Sequence, residues 1–140
     1  MLSILIPTYN TKLVDLVDDP NSQCRNLNID FEILCCDDDS LSKFRYFNSK
    51  INEYKNVMYK EMKENLSRAK IRNLMAIDAK YGKLLFIDKD SGIIRDKSIF
   101  TYIKQLSDDV IYGSRLYQIS PPEDKNKILE SVKFENKHQT

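Results

Sequence analysis

Two aspartates with one residue between them, Asp88 and Asp90, follow directly on the apolar run Lys83-Leu-Leu-Phe-Ile87. On an extended segment that spacing turns both carboxylates to the same side. Two hard oxygen ligands so placed suit Mg²⁺ or Mn²⁺, which binds through one or two carboxylates, water and substrate phosphates. A solvated turn after a strand would use the same residues, so the pair by itself decides nothing. Asp37-Asp-Asp39 is a denser cluster. A turn needs only one or two such residues, and adjacent acids repel one another. A carboxylate held at a strand end can also accept the imide N–H of a uracil ring. Tyr9 can stack on a base or ribose, or simply roof the strand before it. Arg68 and Arg72, four residues apart, share a helix face. Their guanidinium forks suit phosphate or carboxylate, whether on a ligand or in a surface salt bridge.

Other residue types offer less. The single histidine, His138, stands near the end of the chain, a poor place for a metal ligand or catalytic base. Cys24, Cys35 and Cys36 make an odd count without CxxC spacing, which argues against a disulfide framework and fits a reducing cytoplasm. Cys35 and Cys36 sit in an apolar run and read as small core residues. The stretch Lys43–Lys63 mixes lysines with Phe44, Tyr46, Phe47, Tyr54 and Tyr59, as a nucleic-acid surface would. Helical core spacing accounts for those aromatics, and no RNA-binding signature is present. With 31 % charged residues but a formal charge of +1, net charge predicts no large sequence-independent attraction to nucleic acid or to an anionic membrane, which leaves room only for local basic patches. No apolar run is long enough to span a bilayer, and the start Met1-Leu-Ser-Ile-Leu-Ile-Pro7 does not read as a secretory signal.

These residues must be positioned by an alternation of short apolar runs and longer helical stretches. At 140 residues and 41 % apolar content the chain can build one globular core. Leu2–Ile6 reads as a first strand stopped by Pro7. Thr11 is placed to cap a helix carrying Leu13, Val14, Leu16 and Val17, which Pro20 should break or bend. Phe31–Cys36 is a second strand, apolar enough to be buried on both faces. Residues 41–54 predict a helix with Leu41, Phe44, Phe47 and Ile51 on one stripe. Asn56–Lys60 is a weak third strand. Leu66–Lys80 is the clearest helix, with Ala69, Asn73, Ala76 and Ile77 on its stripe and Gly82 as its stop. Lys83–Ile87 is a fourth strand, Ile99–Leu106 looks helical, and Val110–Tyr112 looks like a further strand.

This succession predicts an open, mostly parallel α/β sheet with crossover helices on both faces. In such sheets ligands bind beyond the carboxyl ends of the strands, where strand order reverses. With the order 3-2-1-4, three polar clusters converge there: Pro7-Thr-Tyr-Asn10, Asp37-Asp-Asp-Ser40 and Asp88-Lys-Asp90.

Read in order, the clusters resemble the family 2 glycosyltransferases, which have a GT-A, Rossmann-like nucleotide-binding fold. Leu2–Asn10 resembles the family's first strand and its Pro-Thr/Ser-Tyr-Asn turn. Phe31-Glu-Ile-Leu-Cys-Cys-Asp-Asp-Asp-Ser40 resembles its E-I-I-V-V-D-D-G-S segment. Asn65-Leu-Ser-Arg-Ala-Lys-Ile-Arg-Asn73 is similar to the helix opening that ends in A-R-N. Tyr81–Asp90 is similar to the strand ending in D-x-D. The match runs from residue 2 to about residue 92 and loosely to Tyr117. A receiver domain, another doubly wound sheet with Mg²⁺-binding acids, would carry its acidic pair where Pro7-Thr-Tyr-Asn10 stands.

The resemblance implies a donor-binding domain over residues 1–117 and a polar tail over 118–140 leading toward an acceptor segment outside this chain. Pro7, Thr8, Tyr9 and Asp38 would hold the nucleoside, with Asp37 supporting the loop. Arg72 or Arg68 would approach the diphosphate. Asp88 would lie near ribose and metal, and Asp90 would be the main ligand of Mg²⁺ or Mn²⁺. The donor would be a nucleotide-diphospho-sugar, often a UDP-sugar, and the acceptor a glycan or glycolipid, with inversion at the anomeric carbon. The compartment would be the cytoplasm, with or without attachment to the inner face of the membrane. The family's catalytic carboxylate lies well downstream of the D-x-D. Glu130 and Glu135 lack that context, so the general base is expected outside this chain. The alternative is a non-catalytic nucleotide-sugar-binding module or an inactive fragment. The sequence departs from the family's pattern at two positions, and neither change removes a ligand. Asp39 and Ser67 both stand where the family commonly has Gly. The Asp39 position is one that a left-handed conformation would explain, and Asp tolerates that geometry better than most residues.

Overall fold

The computed structural model describes residues 1–88 and 98–104. Met1–Ile99 forms one compact unit and Phe100–Thr140 another; of the second, only Phe100–Lys104 is among the described residues. The elements are β1 (Leu2–Thr8), α1 (Val14–Asn26), β2 (Phe31–Asp37), α2 (Ser42–Asn48), a 3-10 turn (Ser49–Glu53), β3 (Val57–Glu61), α3 (Arg68–Asp78), β4 (Lys83–Phe86) and α4 (Ser98–Lys104). Val110–Tyr112 lies outside the described residues.

The four strands form one all-parallel sheet in the order β3-β2-β1-β4, as the alternation predicts. The chain moves outward from β1 to β3 and then returns across β1 to β4. Right-handed crossovers therefore place α3 on the face opposite α1. On the α3 face, Leu5, Leu34 and Cys36 pack with Met62, Ile71 and Met75. The alternate residues Leu2, Ile4, Ile6, Ile33 and Cys35 point to the other face and are equally buried. All three cysteines are free and buried. Burial pushes the Cys24 and Cys36 thiols up to about 11, so they are core atoms rather than nucleophiles.

Several boundaries differ from the sequence reading. Pro7 lies inside β1. Leu5 bonds toward β4, since its carbonyl accepts the N–H of Ile87, and the ladder alternates so that Pro7 faces the same way. Pairing with β4 ends at Leu5, so no ladder bond requires the N–H that proline lacks. Pro20 neither ends nor breaks α1, which runs on to Asn26 with Pro20 buried. Thr11 does not cap α1. The cap position is Leu13, whose N–H donates to Asn48 Oδ1 at 2.9 Å, while Asn48 Nδ2 donates to the carbonyl of Thr11 at 2.8 Å. Gly82 does not stop α3, which ends through Ala79 in an extended conformation.

Two helical stripes also differ. Over residues 42–53 the inward positions are Phe44, Asn48 and Ile51, leaving Leu41 and Phe47 exposed. Asn48 must face inward because its amide bridges the two ends of the loop before α1. In α3 the buried residues are Ile71 and Met75, whereas Ala69, Asn73 and Ile77 face solvent. The larger side chains fill more of the space over the sheet. That rotation puts Arg68, Ile71, Arg72 and Met75, at i, i+3, i+4 and i+7, on one stripe. Its first turn is left at the carboxyl edge of the sheet.

Candidate functional site

β1 and β2 end side by side, with Thr8 opposite Asp37. The chain continues from them into two loops that lean on one another. The Asp38 N–H donates to the carbonyl of Thr8 at 2.8 Å. The Asn10 N–H donates to Ser40 Oγ at 2.8 Å, and Leu41 N–H donates to Asn10 Oδ1 at 2.8 Å. Asn10 and Asp39 take positive φ, 50° and 67°, as tight reversals at both loops require. The Asp39 carboxylate is ion-paired with Arg45.

Asp37 is fully buried and holds this arrangement from beneath. Its Oδ1 accepts the Ser40 N–H at 2.6 Å, and its Oδ2 accepts the Tyr59 hydroxyl at 2.7 Å. Its carbonyl accepts the Met62 N–H at 2.9 Å. Burial, and then the bond to Asp37, push the Tyr59 hydroxyl well above the usual phenol range, so it stays a donor.

Asp38, next in sequence, is turned toward α3. Its Oδ1 accepts the Leu66 N–H at 2.6 Å and its carbonyl accepts Asn65 Nδ2 at 3.0 Å. Asn65 Oδ1 also accepts the Ser67 N–H at 3.2 Å. Among the described residues, Asp38 Oδ2 has no hydrogen-bond donor. Ser67, the residue before α3, has φ 78° and ψ 160°, a region that glycine occupies almost alone. The two positions at which the sequence departs from glycine, Asp39 and Ser67, therefore both have positive φ.

A cavity of about 300 Å³ lies at this edge, lined by Pro7, Thr8, Tyr9, Asp38, Asn65, Ser67, Arg68, Ile71, Arg72 and Asp88. Of the residues singled out from the sequence, Pro7, Thr8, Tyr9, Asp38, Arg68, Arg72 and Asp88 share it. Asp37 does not reach it and acts as a support. Asp90 lies outside the described residues. Opposite Asp38, Arg72 is ion-paired with Asp88 and its guanidinium lies over the Phe86 ring, 5.5 Å from the centroid. Arg68 makes no ion pair among the described residues. Among the described residues, Thr8 Oγ1 and Arg72 Nε are buried without a hydrogen-bond partner, so both cavity walls carry unspent polar capacity.

This lining combines two carboxylates, two guanidiniums and an exposed tyrosine ring. It suits a ligand with a polar heteroaromatic end and an anionic end. No cluster of three or more metal-ligating side chains occurs among the described residues. A cation shared with phosphates needs only one or two carboxylates, and Asp88 supplies one at the cavity wall. Asn65, Ser67 and Ile71 line the cavity although the sequence reading gave them no role there. For Asn65 and Ser67 the available signal was their place just before the helix. Tyr59 left no signal, because its bond to Asp37 joins different strands.

No family model matches the sequence, and no curated protein matches it. Among solved structures, S. aureus TarS superposes with a TM-score of 0.60 at 22 % identity, over 74 % of this chain and 19 % of that one. TarS 1–349 in complex with UDP-GlcNAc gives 0.61 at 22 % identity, over 74 % and 30 %. The mannosyltransferase PcManGT from Pyrobaculum calidifontis, in complex with GDP-Man and Mn²⁺, gives 0.65 at 18 % identity, over 76 % and 32 %. At these identities the likeness is one of fold. The chain spans 19 % to 32 % of the lengths of these structures.

Proposed function

We propose that this chain is the donor-binding part of a family 2 glycosyltransferase and that its cavity takes a nucleotide-diphospho-sugar, with uridine preferred. The observation that carries this reading is the convergence of Pro7, Thr8, Tyr9, Asp38, Arg68, Arg72 and Asp88 on one cavity at the carboxyl edge of a parallel sheet. The solved structures of the same fold support it, since their ligands are UDP-GlcNAc in one case and GDP-Man with Mn²⁺ in another.

In this reading Asp38 Oδ2 accepts the imide N–H of uracil, while the Leu66 N–H fixes the carboxylate through Oδ1. Tyr9 stacks on the base or ribose. Arg68 and Arg72 face the diphosphate, and Arg72 exchanges part of its contact with Asp88 for phosphate oxygens. Asp88 and Asp90 would hold Mg²⁺ or Mn²⁺, which neutralises the diphosphate as a leaving group when bound. The acceptor would be a glycan or glycolipid, deprotonated by a carboxylate other than those assigned to the base and the metal.

Calorimetry tests this directly. UDP is expected to bind in the presence of Mn²⁺ and to lose most of its affinity with chelator or in Asp90→Asn. Asp38→Ala should weaken UDP by about 10- to 100-fold, the loss of a hydrogen bond to a charged group, with little effect on pyrophosphate. Equal losses for UDP and pyrophosphate would remove Asp38 from the base site. Equal binding with and without Mn²⁺ would remove the metal from the reading.

A further inference from the structure

The donor reading does not use the outer face of α2. Lys43, Tyr46, Phe47 and Lys50 stand at i, i+3, i+4 and i+7, one stripe turned away from the inward positions Phe44, Asn48 and Ile51. Tyr46 is 67 % and Phe47 41 % exposed, so helical core spacing does not explain these aromatics. The two rings meet edge to face at 5.8 Å. Lys50 Nζ lies 5.1 Å from the Tyr46 centroid, and Lys12 Nζ, from the loop after β1, lies 4.4 Å from that of Phe47. Leu41, at the head of the same helix, is also exposed. Arg45 takes up the neighbouring carboxylates, Asp39 closely and Glu61 at 4.0 Å. Among the described residues no carboxylate pairs with Lys12, Lys43 or Lys50.

We propose that this lysine–aromatic face docks the protein on an anionic lipid bilayer. Tyrosine and phenylalanine rings settle at the headgroup level, and lysines reach past them to lipid phosphates. The charge is complementary because, among the described residues, none of the three ammonium groups is paired with a carboxylate. A polyanion such as RNA fits less well. Bases need open ring faces to stack on, and here lysines stand over them. The location gives the contact a consequence. The loop carrying Tyr9 into the cavity is the one that carries Lys12 onto Phe47, and Asn10 ties that loop to Leu41. Docking through α2 sets the cavity rim beside the membrane surface. The inference stands independently of what the cavity binds.

Vesicle co-sedimentation with the full chain tests it, using phosphatidylcholine alone and phosphatidylcholine mixed with phosphatidylglycerol. The wild-type chain should sediment with the anionic vesicles and much less with the neutral ones, and salt should weaken the contact. Lys43→Gln, Lys50→Gln and Lys12→Gln should each lower the affinity about fivefold. Lys12 lies outside the helix, so its variant cannot act through helix stability. Tyr46→Ser combined with Phe47→Ser should lower affinity for the anionic vesicles at every salt concentration. Failure of the wild-type chain to bind anionic vesicles would overturn the proposal, as would undiminished binding by the lysine or the aromatic variants. Binding of poly(U) RNA that depends on the lysines, with no vesicle binding, would overturn it in favour of a nucleic-acid face. Because the variants leave the cavity untouched, UDP binding should be unchanged in all of them.

Discussion

The two walls of the cavity are built on different physical terms. On the side of β1 and β2 the carboxylates are buried, Asp37 at 0 % and Asp38 at 8 % exposure, and each is held by fixed backbone or hydroxyl donors. On the side of α3 and β4, Arg72 and Asp88 are part-exposed and hold each other as an ion pair. The first wall is preorganised: its groups have lost their water and have little freedom to move. The second is adaptable, because a part-exposed ion pair is worth little and can be exchanged for another at small cost. A cavity of this kind can select the uncharged end of a ligand with the first wall and accommodate its charged end with the second.

Three substitutions bear on that contrast. The largest effect is expected for Asp37→Ala, which strands the Ser40 N–H and the Tyr59 hydroxyl below the loop. At about 1–3 kcal/mol for each unsatisfied group, the loss of stability in urea denaturation should be about 2–6 kcal/mol. A loss well under 1 kcal/mol would mean that the first wall is not rigid after all. Next comes Ser67→Gly, at the junction of the two walls. Relief of its backbone strain should raise stability by about 1–3 kcal/mol, seen as a higher urea midpoint at unchanged slope. A destabilised variant would show that the Ser67 side chain matters more than its backbone. The smallest effect is expected for Arg72→Ala, at most about 1 kcal/mol of stability once solvent screening is allowed for. A cost of several kcal/mol there would make the second wall as fixed as the first and dissolve the comparison.

The parallel sheet, its strand order and the meeting of Thr8, Asp38 and Asp88 at one edge were legible in the sequence because the pattern of elements leaves few alternatives. Apolar runs of strand length alternating with helical stretches admit few sheet topologies, and an open parallel sheet has one edge where strand ends gather. The positive φ at Asp39 was legible in the same way: a residue standing where a related pattern has glycine points to backbone geometry. What a stretch of helix turns inward was not legible. Residues 68–78 carry two plausible stripes, and only the space above Leu5 and Leu34 selects Ile71 and Met75 over Ala69 and Ile77. That choice aims Arg68 and Arg72 at the cavity. Phe47 yields its inward place to Asn48 for a comparable reason. A polar side chain is buried where two distant backbone groups, at Thr11 and Leu13, need its amide. Tyr59 and Asp37, the strongest support of the first wall, are joined across strands by a contact that no periodicity in the chain encodes. The sequence by itself determined which elements form, because that depends on near neighbours, and it left few orders in which the strands could pair. The tertiary structure decided which side chains face one another, because that depends on the shape each element finds waiting for it.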